Sequence, residues 1–530
     1  MYSARGLSAA RVASKSTRGP RSGRWLSSSS ALRTQEPSAN NARPYKDKST
    51  IDLINSMMVF RLCTVPKIAE ISAPILDTAQ KANVHAPIYW GIKNTFFKHF
   101  CGGENIEEVL PTMEKFKKNG IGSILDLAME ADENAPELVG AEAKAFTAHV
   151  AQMMKESIDI AKMQPDSFIA AKITALVPPA VLQRWSNSIR ALRTVFDACD
   201  ADKDGQLNAA ELAAFLQRFP SLSAASFPLA ARTGRPVDWI DVTDTFTITN
   251  AATRTALLGL EPLNSHKDFR LATEQDFATS DLVVTEIDSM FEHARQTGVR
   301  IFVDAEQTYF QPAIDDYALY LSKKFNPRRS LNGPAFPIVY NTYQCYLKDT
   351  YSRLSADMIR SERGDYSFAC KIVRGAYMVS ERERAKEFSY EDPINPNIEA
   401  THQVYNSAIE FLISKIQSTA APEGNIPVAF VVASHNKGSV AITRKLMDEY
   451  KIERKENRVG FAQLMGMNDS TTYGLAGDGY KVYKYVPYGP VSVTIPYLLR
   501  RAQENSSLLG GVAEDRKTLS DELVRRLTLK

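Results

Sequence analysis

Residues 426–453 read IPVAFVVASHNKGSVAITRKLMDEYKIE. The first part is a short apolar run rich in β-branched residues; the rest is helix-like. A near-continuous apolar strand followed by a helix is the unit of a parallel sheet, whose strands are buried on both faces. This run closes on His435 and Asn436. The unit recurs. IGSILDLAME, SFIAAKITAL, VRIFVDAEQT, FPIVYNTYQCY, FACKIVRGAY, RVGFAQLMGM and KVYKYVPYGPV bring the runs to eight, and most precede a helix-like segment such as NIEATHQVYNSAIEFLISKI. Eight units predict an α/β chain folded as a (β/α)8 barrel of the TIM type, which takes about 250 residues. A doubly wound open sheet is the alternative; against it, no G-x-G-x-x-G follows any of the runs.

Polar residues gather where the runs end. Lys172 closes the second run, Asp304 and Glu306 the third, Gln344 the fourth, Arg374 and Tyr377 the fifth, and Tyr485 the eighth. A strand must end in something polar, so one such residue means little. In a barrel, however, those ends converge on the face where active sites are built.

The chain of 530 residues is 44% hydrophobic and 24% charged, with net charge +3. That balance is ordinary for a globular protein and gives no argument for nucleic acid. Five cysteines, at 63, 101, 199, 345 and 370, form no C-x-x-C pair, which excludes a disulfide framework or a cysteine zinc site. Residues 1–35 hold seven basic residues and nine serines, and Glu36 is the first acid. An Arg- and Ser-rich, acid-free N-terminus has the character of an organelle transit peptide. STIDLINSMMVFRLCTV is the most apolar early segment; it reads as a packed helix that can also lie on a membrane surface.

Between the second and third runs lies a gap longer than a barrel loop. Inside it, residues 200–211 read DADKDGQLNAAE, which fits the EF-hand loop. Asp200, Asp202 and Asp204 stand at positions 1, 3 and 5, Gly205 at the sharp turn, Gln206 offers its carbonyl at 7, and Glu211 closes the loop at 12. The segment DWIDVTDTFT is acidic but lacks the Gly and the Glu of a second loop. The expected organisation is a transit peptide (1–36), linker and N-terminal helices (37–118), the start of the barrel (119–186), an insertion with the EF-hand (187–295), the rest of the barrel (296–515) and a C-terminal tail (516–530).

After the eighth run comes VTIPYLLRRAQENS, 493–506. On a helix, Glu504 lies within one turn of Arg500 and Arg501, and so does Tyr497. Two guanidiniums at a barrel mouth form a multidentate receptor for a carboxylate or phosphate. An isolated Arg-Arg pair reads as solvated surface; the place after the last barrel strand argues otherwise.

VDAEQT, YQCYLKD, KIVRGAYMVSERERA, VASHN, QLMGM and YVPYGPVSVTIPYLLRRAQEN together resemble the mitochondrial proline dehydrogenase (proline oxidase) family over roughly 120–176 and 296–510. The resemblance implies a distorted barrel holding FAD, oxidation of L-proline to Δ1-pyrroline-5-carboxylate, electrons passed to a membrane quinone, and peripheral contact with the matrix side of the inner mitochondrial membrane. It further implies that Arg500, Arg501 and Lys172 bind the substrate carboxylate, with Asp304 in the polar wall and Leu464, Tyr485 and Tyr497 against the ring. Tyr377 would lie beside substrate and flavin, with Glu504 orienting an arginine. Gln344, Lys371, Arg374, His435 and Asn436 would face the flavin; Lys371 stands where bacterial members carry Arg. An EF-hand insertion binding Ca2+ is known in animal-type members. Two readings compete: a lyase or aldolase barrel using Lys172 as a Schiff base, and a non-catalytic calcium-binding scaffold.

Overall fold

The computed structural model describes residues 44–46, 48–63, 86–129, 137–329, 336–419, 425–507 and 509–528, without side chains for 505–514. The expected transit peptide lies outside them, as does most of the linker.

In chain order the strands are β1 (Gly122–Leu127), β2 (Phe168–Ala171), β3 (Gln206–Leu207), β4 (Val237–Asp238), β5 (Arg300–Val303), β6 (Val339–Gln344), β7 (Phe368–Val373), β8 (Val428–Ala433), β9 (Val459–Leu464) and β10 (Val482–Tyr488). All except β3 and β4 are parallel and close in the order β1-β2-β5-β6-β7-β8-β9-β10. Closure runs along the whole of β1, from Gly122 opposite Tyr483 to Leu127 opposite Tyr488. The expected eight-unit barrel is therefore what the chain builds.

Alternation along each strand decides what the barrel holds. Ile124, Ala170, Phe302, Tyr340, Ala369, Ala462 and Tyr483 form one interior cluster. Side chains two residues apart share a face. Two residues beyond these lie Asp126, Lys172, Asp304, Thr342, Lys371, Leu464 and Tyr485. The apolar layer thus changes to a charged one toward the C-terminal end of the strands. At the other end the interior is filled. Phe168 stacks on Phe302 at 4.4 Å, and the Arg300 guanidinium covers Phe168 at 5.1 Å while bonding Asp166 at 2.9 Å. The Tyr483 ring needs bare neighbours: a Cβ on Gly122 would stand 2.4 Å from it. The barrel interior is a packed core whose charged layer lies toward the C-terminal ends of the strands.

Helices Gly140–Ala161 and Glu274–Thr297 pack together on the barrel wall. Helix Pro179–Cys199 is also a wall element, burying Val181, Leu182, Trp185, Leu192 and Phe196. Between that helix and Glu274–Thr297 lie β3, β4 and the short helices of the expected insertion. Where a C-terminal tail was expected, the chain forms the helix Leu509–Leu527. Its Leu519 packs with Tyr45, Leu53 and Phe60, and Arg526 bonds the carbonyls of Tyr45 and Lys48, each at 2.8 Å. The apolar early segment is the helix Thr50–Cys63, which buries Leu53, Val59 and Phe60 and exposes Ile51, Ile54 and Met58. Among the described residues no helix is long and apolar enough to cross a membrane.

Candidate active site

Three strands contribute the centre of the mouth. Asp304, just past β5, accepts from Lys371 Nζ of β7 at 2.6 Å and from the Tyr485 hydroxyl of β10 at 2.8 Å. Burial alone would raise the Asp304 carboxyl. The charges of Lys371 and Lys172, with the two hydrogen bonds, outweigh it and hold the group below the usual carboxylate range. The mouth thus keeps a buried carboxylate ionised. Lys371 also stands over the rings of Phe302 and Tyr485, at 4.8 and 5.4 Å.

Lys172, just past β2, donates to Asp126 of β1 at 2.9 Å, and both are buried. The sequence reading missed Asp126. Its only signal was an acid inside an apolar run, two residues beyond inward-facing Ile124. The pairing also weighs against a Schiff-base lysine, which must be neutral to attack a carbonyl.

The helix Val491–Ser507, which follows β10, carries the two arginines. Arg501 is buried, bonds Glu504 and lies 4.9 Å from the Tyr497 ring. Arg500 lies 5.8 Å from the ring of Tyr377, the residue that opens the helix Met378–Glu387. Tyr497 packs with Phe97, Phe100 and Met467, and Leu464 joins that cluster at the end of β9. Arg501, Glu504 and Tyr497 therefore meet as the helical spacing requires, while Arg500 turns to Tyr377.

On the far side, Arg374 donates to Ser434 Oγ at 2.6 Å and Ser439 Oγ at 3.0 Å, approaches His402 Nδ1 at 3.2 Å, and stacks on Tyr405 at 4.3 Å. Burial lowers its pKa. A half-buried guanidinium held by hydroxyls, an imidazole and a ring suits an anionic group such as a diphosphate. Asn436 caps the helix Lys437–Glu449 by accepting from Ser439 N at 2.9 Å, so that helix also opens toward this spot. His435 Nε2 accepts from Leu464 N at 3.1 Å. Burial, then repulsion from Lys484, Arg501 and Arg374, pushes His435 down to about 3, so it is neutral. Gln344 Nε2 donates to the Glu306 carbonyl at 2.7 Å. Ser434, Ser439 and His402 were not singled out from the sequence. Short hydroxyls and a helix-borne His carry no spacing signal of their own.

In the insertion, carboxylate oxygens of Asp200, Asp202 and Asp204 lie within 4.8 Å of one another. Gly205 takes φ +82° at the turn, and Glu211 reaches back to accept from Ala201 N at 2.9 Å. This donor set suits a hard cation. DWIDVTDTFT forms the helix Trp239–Thr245, and β4 just before it pairs antiparallel with β3 of the acidic loop. Its acids are committed elsewhere: Asp241 takes two Arg235 donors, and Asp238 is bound by Arg363.

A closed parallel barrel with an ionised, lysine-paired carboxylate at its mouth and an arginine-bearing helix after its last strand has the form of an enzyme of the TIM-barrel class. The profile of the proline dehydrogenase family matches residues 109–514, and the chain belongs to that family. It is 31% identical to proline dehydrogenase 1, mitochondrial, of Homo sapiens, over 94% of this chain and 92% of that one. It is 33% identical to the Dictyostelium discoideum protein of the same name, over 92% and 75%. The fold is also that of proline utilization A from Bdellovibrio bacteriovorus, with TM-score 0.53 and 16% identity over 86% of this chain, which spans 37% of that longer protein. The chain is an oxidoreductase of proline catabolism, and it is mitochondrial.

Proposed function

We propose that the chain oxidises L-proline to Δ1-pyrroline-5-carboxylate with FAD held in the barrel mouth, and passes the electrons to a membrane quinone during peripheral contact with the inner mitochondrial membrane. The observation that carries this reading is the buried Asp304–Lys371–Tyr485 group at the strand ends, with the arginine-bearing helix Val491–Ser507 packing its Tyr497 in the cluster that holds Leu464 at the end of β9. When bound, FAD supplies the two-electron acceptor that no side chain here can provide.

The chain's own residues would supply position and electrostatics. Arg500 and Arg501 bind the substrate carboxylate, the latter oriented by Glu504, and Lys172 adds a third donor. Leu464, Tyr485 and Tyr497 confine the ring, with Tyr377 at its edge. Asp304 keeps a negative charge near the ring amine. Holding the ring at a fixed distance makes the step effectively unimolecular. Lys371 and Gln344 would stand by the reactive ring system of the cofactor. Arg374, His435 and Asn436 would hold its ribityl and diphosphate arm. Residues 1–36 would be removed on import, and loop 200–211 would bind one Ca2+ through Asp200, Asp202, Asp204, the Gln206 carbonyl and Glu211.

The visible spectrum of the purified protein tests the reading. A flavin spectrum bleached by L-proline without NAD is expected. A colourless protein, or NAD reduction that tracks proline loss in the absence of another enzyme, would overturn it.

A further inference from the structure

We infer that Glu306 is a positioning residue for the substrate side of the site, holding in place the turn that carries Lys172; the inference rests on the proposed reading of the mouth as a proline site. Glu306 is buried two residues past Asp304 and bonds to three separate elements. Its carboxylate accepts from Thr174 Oγ1 at 2.7 Å and from Thr174 N at 3.3 Å. Its own N–H donates to Gln311 Oε1 at 3.0 Å, and its carbonyl accepts from Gln344 Nε2 at 2.7 Å.

Thr174 sits in the 3-10 turn Ile173–Ala175, which Lys172 opens. The lysine is thus fixed at both ends. Asp126 holds its ammonium, and the Glu306–Thr174 pair holds the backbone from which it projects. Apolar packing could fill the space that Glu306 occupies at less desolvation cost, but it could not accept from Thr174. Burial pushes the Glu306 carboxyl up to about 7, opposed by the Thr174 bonds and the Lys172 charge. A carboxyl close to neutral still offers an acceptor oxygen, which is why a glutamine can stand in for it.

The two arms of Glu306 predict a split. The side chain serves Lys172, on the side of the substrate carboxylate. The backbone carbonyl serves Gln344, on the flavin side, and survives any substitution. Removing the side chain should therefore weaken substrate binding and leave flavin binding intact.

The test uses the full chain as purified with its flavin, and the variants Thr174→Val, Glu306→Ala and Glu306→Gln. Binding of tetrahydrofuran-2-carboxylate, the ring-oxygen analogue of proline, is followed by the flavin spectrum, together with KM and kcat for proline and flavin per chain. Thr174→Val and Glu306→Ala should each weaken analogue binding and raise KM by roughly three- to tenfold, the net worth of a hydrogen bond, with a smaller change in kcat. Glu306→Gln should restore most of the loss, the double variant should be no worse than Glu306→Ala, and flavin content should hold throughout. If Glu306→Ala does not fold, Thr174→Val, which keeps its backbone N–H and its volume, decides alone. Analogue affinity and KM within about twofold of wild type in the variants that fold would overturn the inference while leaving the proline reading intact. A wild type that is not reduced by proline would overturn both.

Discussion

Tyr485 offers the sharpest test of how the mouth works, because one residue combines two separable functions. Its hydroxyl donates to Asp304 Oδ2 at 2.8 Å, and its ring forms part of the wall. Tyr485→Phe removes the first and keeps the second. A hydrogen bond to a charged group is worth about 1.5–3 kcal/mol. Lys371 still holds the other oxygen at 2.6 Å, so the carboxylate is not left bare. The lower end of the range therefore applies: about 1.5 kcal/mol, or roughly tenfold in kcat/KM for proline. The sign of the pH effect follows from Asp304, whose folded pKa is depressed. Such a group adds stability above its unfolded pKa and loses it as pH falls through the folded one. Removing a donor raises the folded value. The Phe variant should then lose Tm at a higher pH than wild type on acidification, and the acid limb of kcat/KM should move the same way.

Tyr485→Ser removes the ring as well. Proline and 4-hydroxyproline differ by one ring hydroxyl, and on the proposed reading the Tyr485 ring would face the substrate ring. Wild type and the Phe variant should both prefer proline, whereas the Ser variant should narrow the preference by about 1–3 kcal/mol. The assay is kcat/KM for both substrates in all three proteins, with melting curves carried from neutral pH to below 3.8, where the depressed Asp304 carboxyl titrates. If Phe matches wild type in rate and acid limb, the Asp304 contact has no part in catalysis. If Ser keeps the wild-type ratio, Tyr485 is not the gate.

Arg500→Met and Arg501→Met should each raise KM for proline roughly ten- to a hundredfold, the worth of a charged hydrogen bond to a carboxylate, with flavin content retained. Arg501→Met should also lower Tm, since the guanidinium is buried against Tyr497 and pairs with Glu504; unchanged proline kinetics in both would return the pair to a surface role. Glu211→Ala should abolish calcium binding measured by calorimetry, because it removes the bidentate position, and equal affinity in the variant would remove the EF-hand assignment.

The barrel was legible because parallel strands buried on both faces leave short apolar runs, and runs such as IPVAFVVASHN carry little else. The mouth was legible for a related reason. Inward positions recur every second residue, so a charge after an apolar inward residue marks the rim, as Asp304 follows Phe302. What stayed hidden is held by contacts distant in sequence. Asp126 meets Lys172 only because β1 and β2 are neighbours in the closed sheet. The helix Leu509–Leu527 is stabilised by Tyr45, Leu53 and Phe60 from the opposite end of the chain, so its own residues gave no sign of where it docks. The pairing of β3 with β4 joins two segments whose acids look alike in sequence. The missing Gly and Glu already set the second segment apart; the structure adds that Asp200, Asp202 and Asp204 gather around one spot while arginines hold Asp238 and Asp241.

The same pairing logic governs the mouth. Lys172 has Asp126, Lys371 has Asp304 and Arg501 has Glu504. Buried charges come in pairs because a lone one costs several kcal/mol. A carboxylate entering this site therefore does not meet bare cations; it competes with acids already in place for the donors of Lys172 and Arg501. A zwitterion adds no net charge, and its ring ammonium can face Asp304 while its carboxylate shares the arginines. The compensated pairs thus make the firmness of Asp126, Glu504 and the Glu306–Thr174 support part of what sets substrate affinity.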